Sequence, residues 1–234
     1  MIRAVLFDVY GTIAGWSPSR YQLQRMACVA FGLGDAVTPE GILKGYAAAD
    51  AFMTAENASR PLRLRDKEGR DEFFGEYERL VLKGCGIDVE PDLALRIFNR
   101  LSAAPSSLTP FDDVIPALVE LRGRGLTLGL ISNMNMSGAD LLRDLGLSNH
   151  VDFAVTSLEV RVEKPHPLAF QTALSRAGVE ANEAVMVGDQ PSSDIEGAVR
   201  VGISPILIDR DGNYARYDAC PRIMSLAELP ALIG

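Results

Sequence analysis

Residues 2–12 read IRAVLFDVYGT, and their reading decides the fold. A short apolar run ends at Asp8, and Gly11-Thr12 follow as a turn. A strand buried on both faces of a parallel sheet looks like this, near-continuously apolar rather than alternating. The same phrase recurs downstream. Residues 126–131 (LTLGLI) end in Ser132-Asn133, residues 184–187 (AVMV) in Gly188-Asp189, and residues 206–208 (ILI) in Asp209, with a shorter piece at 153–155 (FAV). Helical patterns at 114–122, 138–145, 168–177 and 193–201 lie between them, each with a glycine at its end. Strands alternating with helices of this length predict an α/β core, a parallel sheet covered on both faces.

Residues 15–105 read differently. Helical periodicity runs through 21–31, 40–52, 71–82 and 92–101, with almost no strand-like run. Trp16-Ser17-Pro18 and Ser102-Ala103-Ala104-Pro105 punctuate the two edges. The expected organisation is a core of residues 1–14 and 106–234 carrying a helical domain, 15–105, inserted after the first strand.

The bulk numbers bound the class. A chain of 234 residues, 47% hydrophobic and 23% charged, can bury its core without staples. A net charge of −8 with no dominant basic patch argues against nucleic acid and anionic membranes as partners. No run reaches the length of a membrane span, and the start lacks the layout of a signal peptide. Cys28, Cys85 and Cys220 are odd in number and widely spaced, so reduced thiols and a cytoplasmic location are expected. Oligomeric state is not legible.

Polar residues gather where the predicted strands end: Asp8, Ser132, Asn133, Asp189 and Asp194. In open α/β sheets ligands bind at that edge. Asp8 can be a nucleophile, a metal ligand or a turn cap, and Thr12 can donate to an anion. Asp189 and Asp194, on one loop opening a helix, can face one pocket, although Asp194 alone also fits ordinary helix capping. Carboxylates gathered with a third repel unless a cation sits among them, and a few hard oxygen ligands suit Mg²⁺. Lys164, between Glu163 and Pro165-His166-Pro167, can neutralise an anion and tether a carboxylate, or be a solvated loop lysine.

Taken in order, Asp8-x-Tyr10-Gly11-Thr12, Ser132-Asn133, Lys164-Pro165 and Gly188-Asp189-x₄-Asp194 resemble the four motifs of the haloacid dehalogenase superfamily. The resemblance covers about residues 1–13 and 110–234; the insertion is similar in position and helical character only. It implies a Rossmann-like core with a helical cap that closes over the site and sets specificity. It implies Asp8 as a nucleophile forming a covalent intermediate. Ser132 would hold the transferring group, Asn133 would touch substrate or order the cap side, and Lys164 would steady Asp8. Asp8, Asp189 and the Tyr10 carbonyl would bind Mg²⁺, with Asp194 supporting that shell. Catalytic residues would thus be Asp8, Lys164 and Ser132; substrate contacts Tyr10, Thr12, Ser132 and Asn133; metal ligands Asp8, Tyr10, Asp189 and Asp194.

The motifs disagree at one position. The family's phosphatases carry a second aspartate two residues after the nucleophile, whose loss as general acid and base costs ~10²–10⁴ in rate. Tyr10 stands there, as in the family's dehalogenases, whose halide leaves without a proton. Yet those enzymes use no metal, have Ser and Asn where this chain has Asp189 and Pro191, and have Tyr where it has Phe170. Their cap arginine has no clear counterpart in residues 42–52, where Lys44 is the nearest cation and a poor match. The fourth motif describes the charge balance of the whole site and outweighs the first. The expectation is a Mg²⁺-dependent phosphatase-type hydrolase of a small phosphorylated metabolite, favouring leaving groups stable without a proton. A metal-independent 2-haloacid dehalogenase and a non-catalytic ligand-binding relative are the alternatives; intact Asp8, Lys164 and Asp189 argue against the last.

Other residues carry less. His150 reads as a loop residue, and His166 stands beside Lys164 where a capping Asp is usual. Arg60, Arg63, Arg65, Lys67 and Arg70, with Asp66 and Glu68 among them, form either an anion-attracting surface or a self-compensated loop. Trp16 either lines the pocket or packs the hinge.

Overall fold

A computed structural model of the chain describes residues 1–233, apart from the side chains of Ala58 and Arg63. The chain divides into two compact units: Met1–Gly15 with the chain from Leu108 onward, and Trp16–Ser107.

In chain order the elements are β1 (Ala4–Phe7), β2 (Ala14–Ser17), α1 (Arg20–Val29), α2 (Pro39–Ser59), α3 (Lys67–Gly84), α4 (Pro91–Ser102), β3 (Ser107–Pro110), α5 (Val114–Gly123), β4 (Thr127–Ser132), α6 (Gly138–Asp144), β5 (Phe153–Thr156), α7 (Ser157–Val160), α8 (Pro167–Ala177), β6 (Ala184–Gly188), α9 (Glu196–Arg200), β7 (Ser204–Ile208), β8 (Arg222–Ile223) and α10 (Leu229–Leu232). Six strands form one parallel sheet in the order β5-β4-β1-β6-β7-β8. The core is the expected parallel α/β sheet. The chain steps outward from β1 through β4 and β5, then returns to the other side of β1 for β6, β7 and β8. Asp8 therefore leaves the sheet where the strand order reverses, the place at which a crevice opens.

The period of two along β1 covers both sheet faces. Val5 and Phe7 pack with Leu118, Leu121 and Leu141, whereas Ala4 and Leu6 pack with Phe170, Ala173 and Ala198. This is why the strand reads as an unbroken apolar run. All five of the expected strands and three of the expected helices in this unit lie within a residue or two of their predicted bounds; Gly123 is the last residue of α5 rather than its stop. The fourth helix, expected at 193–201, is divided: Pro191–Ile195 form a π-turn and α9 starts at Glu196. The two-stranded β2–β3 sheet was not anticipated.

The second unit has its own core. α2 and α3 pack through Ile42, Tyr46, Ala49, Phe73, Tyr77 and Val81, and Phe52 stacks on Phe73. α1 opens with a full capping box, Ser19 with Gln22, and Thr38 and Asp66 cap α2 and α3. No helix among the described residues is long and apolar enough to cross a membrane.

Candidate active site

β1 delivers Asp8 at its carboxyl end, where the Asp8 N–H donates to the Val187 carbonyl of β6 (2.9 Å). A tight turn follows. The N–H groups of Ile13 and Ala14 both donate to the Val9 carbonyl (2.8 Å each), and that of Gly11 donates to the Ala14 carbonyl (2.9 Å). Gly11 has φ +83°, and a Cβ there would overlap the Asp189 carboxylate. Conformation and close approach thus both demand glycine. The Thr12 side chain is fully buried, and its hydroxyl has no hydrogen-bond partner.

Ser132 ends β4, almost fully buried. The next residue, Asn133, has both side-chain groups engaged by the main chain of Lys164. Its Oδ1 accepts from the Lys164 N–H (2.7 Å) and its Nδ2 donates to the Lys164 carbonyl (3.1 Å). That bracket aims the lysine inward ahead of α8. The Lys164 side chain, 2% exposed, donates from Nζ to Asp8 Oδ1 and to Asp194 Oδ1, the latter at 2.7 Å. Lys164 is therefore no solvated loop lysine.

Asp189 and Asp194 come from the loop after β6. Asp194 sits in the π-turn with no exposed surface, and its Oδ2 accepts from the Gln190 N–H (3.0 Å). It thus fastens its own loop while facing Lys164. A Cβ on Gly188 would overlap the Asp194 side chain, so the strand end admits glycine alone. Oxygens of Asp8, Asp189 and Asp194 lie within 4.8 Å of one another, and Asp189 Oδ1 is buried without a partner.

The charge balance follows from burial. Desolvation pushes the Asp8 carboxyl up to about 6, opposed by Lys164 and assisted by Asp194. Desolvation, then the charges of Asp8 and Asp194, push Asp189 up to about 8. Burial alone would lower the Lys164 ammonium, but Asp194 and Asp8 outweigh it and hold it above its ordinary value. One ammonium thus faces three carboxylates. The set fits a small hard cation: three carboxylate oxygens in one cluster, one of them an orphaned buried acceptor.

The remaining candidates fall outside this cluster. His166 caps α8, its Nδ1 accepting from the Leu168 N–H (3.2 Å), and His150 lies in the turn before β5. Phe170 is fully buried in the core. Lys44 is exposed on α2. Arg65 is buried within its own unit, paired with Glu56 (2.7 Å) and donating to the Arg60 carbonyl; Lys67 pairs with Asp71. The side chain of Arg63 lies outside the described residues. Trp16 stands in β2, exposed. Sequence reasoning missed Arg210, which donates to the Thr12 carbonyl in the Asp8 turn, and Asp113, which pairs with Arg210. Only the position of Arg210 immediately after a strand-end aspartate offered a signal for them.

Comparison with known proteins accords with this geometry. The family described as haloacid dehalogenase-like hydrolase matches residues 2–202. The chain is 33% identical over 216 residues to the glyceraldehyde 3-phosphate phosphatase of Methanopyrus kandleri, covering 92% of this chain and 86% of that one. Two solved structures, the HAD phosphatase from Thermococcus onnurineus and a 2-haloacid dehalogenase from Pseudomonas syringae, each resemble it with a TM-score of 0.57 and 26% identity over 100% of this chain and 98% of theirs. The chain belongs to the haloacid dehalogenase-like hydrolases.

Proposed function

We propose that this hydrolase is a Mg²⁺-dependent phosphatase of a small phosphorylated metabolite, working through an aspartyl-phosphate on Asp8. The observation that carries the proposal is the cluster of Asp8, Asp189 and Asp194, with Lys164 the one cation among the described residues that pairs with it and with Asp189 Oδ1 left without a partner. The phosphatase relative supports the substrate class. Asp8, Asp189 and the Tyr10 carbonyl would hold Mg²⁺, with Asp194 supporting them, and the ion when bound would offset phosphate and carboxylate charge.

The residues do the rest. Asp8 Oδ1 is held by Lys164, which leaves Oδ2 to attack phosphorus. Lys164 fixes the nucleophile and offsets charge that builds on the transferring group. Ser132 and Thr12 offer hydroxyls to phosphate oxygens. Asn133 acts on the substrate side through Lys164, whose main chain it brackets. Tyr10 has no carboxylate with which to protonate a leaving alkoxide, so acyl and aryl phosphates are the favoured class. The helical unit takes the part of the specificity-setting cap, and a metabolite hydrolase with free cysteines is assigned to the cytoplasm.

Tyr10 favours a second reading, a metal-independent 2-haloacid dehalogenase, and one comparison separates the two. Phosphate release from p-nitrophenyl phosphate is measured with Mg²⁺ and with chelator, beside halide release from 2-chloropropionate. Metal-dependent phosphate release without halide release supports the phosphatase. Halide release that survives chelation replaces it with the dehalogenase.

A further inference from the structure

Arg210 follows β7 and belongs to none of the four motifs. Its guanidinium donates from Nε (3.2 Å) and Nη2 (2.8 Å) to the Thr12 carbonyl. The same group donates from Nη1 and Nη2 to the two Asp113 carboxylate oxygens, at 2.9 and 3.0 Å. Such a planar fork fixes direction as well as distance. The guanidinium lies 4.2 Å from the centroid of the Phe111 ring, a cation–π contact, and the Phe111 N–H donates to the Ile13 carbonyl (3.0 Å). Asp113 is itself anchored, accepting from Ser225 Oγ (2.6 Å) and the Leu226 N–H (2.9 Å). Burial alone would raise its carboxyl, but the bonds from Arg210, Ser225 and Leu226 hold it below its ordinary range, so it stays charged.

Bonds within the turn after Asp8 join Val9, Gly11, Ile13 and Ala14. Arg210 and Phe111 grip it from outside at the carbonyls of Thr12 and Ile13. We propose that Arg210, braced by Asp113 and Phe111, is a positioning residue that fixes the Asp8 turn and so sets the Tyr10 carbonyl and the Thr12 hydroxyl relative to Asp8. The inference rests on the reading of Asp8 as nucleophile. Misplacement of a reacting group by about 1 Å costs ~10²-fold in rate, so the effect of losing the clamp belongs in kcat.

Two readouts test this, one independent of turnover. In Arg210→Ala, amide hydrogen exchange of the peptide spanning residues 9–14 is compared with wild type, and kinetics on p-nitrophenyl phosphate are measured with and without ethylguanidinium. The clamp predicts faster exchange in that peptide, kcat lower by roughly 10- to 100-fold with KM moved far less, and partial recovery with ethylguanidinium. Arg210→Lys keeps the charge beside Asp113 without the fork and remains slow. Asp113→Asn, a milder change that guards against misfolding, shifts exchange and kcat in the same direction. Unchanged exchange in residues 9–14, or unchanged kcat in an active enzyme, overturns the inference. A wild type that hydrolyses no phosphate ester overturns the phosphatase reading instead, and exchange alone then decides whether Arg210 holds the turn.

Discussion

Glu78 gives the sharpest stability prediction. It lies in α3 with no exposed surface, and its Oε1 accepts from Gln24 Nε2. Gln24 Oε1 in turn accepts from the Tyr46 hydroxyl (3.2 Å). Glu78 Oε2 is buried without a partner, and among the described residues no ion pair involves it. Burial pushes its carboxyl from 4.5 up to about 8, the Gln24 bond opposing only in part. The unfolded chain loses this proton near pH 4.5 while the native state keeps it to about pH 8, so stability falls as pH rises through that window. At about 1.4 kcal/mol per unit, the loss is on the order of 5 kcal/mol, complete above the folded value and absent below pH 4.5. The neighbouring Cys28 thiol, itself pushed up to about 11 by burial, adds nothing in this range. Glu78→Gln keeps the acceptor for Gln24 and removes the titration. Urea unfolding of both proteins, followed by far-UV circular dichroism between pH 4.5 and 8.5, is the assay. The two proteins should match at pH 4.5, and the variant should be the more stable by several kcal/mol at pH 8.5. Parallel profiles across the range would refute the reasoning.

Three further predictions concern the site. Rates on aryl and alkyl phosphates should fall steeply as the leaving-group pKa rises, and Tyr10→Asp should speed the alkyl substrates; a flat dependence, or no gain in the variant, counts against the role given to Tyr10. Gly11→Ala forces a left-handed residue at a cost of about 1–2 kcal/mol and drives its Cβ into Asp189; calorimetry should show weaker Mg²⁺ binding, and unchanged affinity would contradict the placement of Asp189 in the metal shell. Lys164→Met should lower kcat by ~10²–10³, and a variant within a few-fold of wild type would show that the tether to Asp8 is dispensable.

The sheet was legible because β1, β4 and β6 are buried on both faces, and that burial writes an unbroken apolar run followed by a polar strand end. Asp8, Lys164, Asp189 and Asp194, which the structure brings together, were legible as candidates by the same route, each standing at a boundary between elements. β2 (AGWS) and β3 (SLTP) escaped because neither has an apolar run. α2 outlasted its expected end at residue 52 because helix-forming residues continue to Ser59 after the apolar period fades. The helix near Asp194 was drawn whole because a π-turn leaves no mark in hydrophobic spacing. The bonds that orient the site were the least legible. Asn133 meets the main chain of Lys164 across 31 positions, and Arg210 meets Thr12 across 198, so neither pairing has a local signature.

The central claim, Asp8 as a nucleophile that takes up phosphoryl, is tested most directly by acid-quenching the enzyme during turnover of p-nitrophenyl phosphate with Mg²⁺. Mass spectrometry of the peptide carrying Asp8 then reads the result. The account predicts a hydroxylamine-labile phosphoryl adduct on Asp8, and neither adduct nor turnover in Asp8→Asn. Turnover that persists in Asp8→Asn would contradict it.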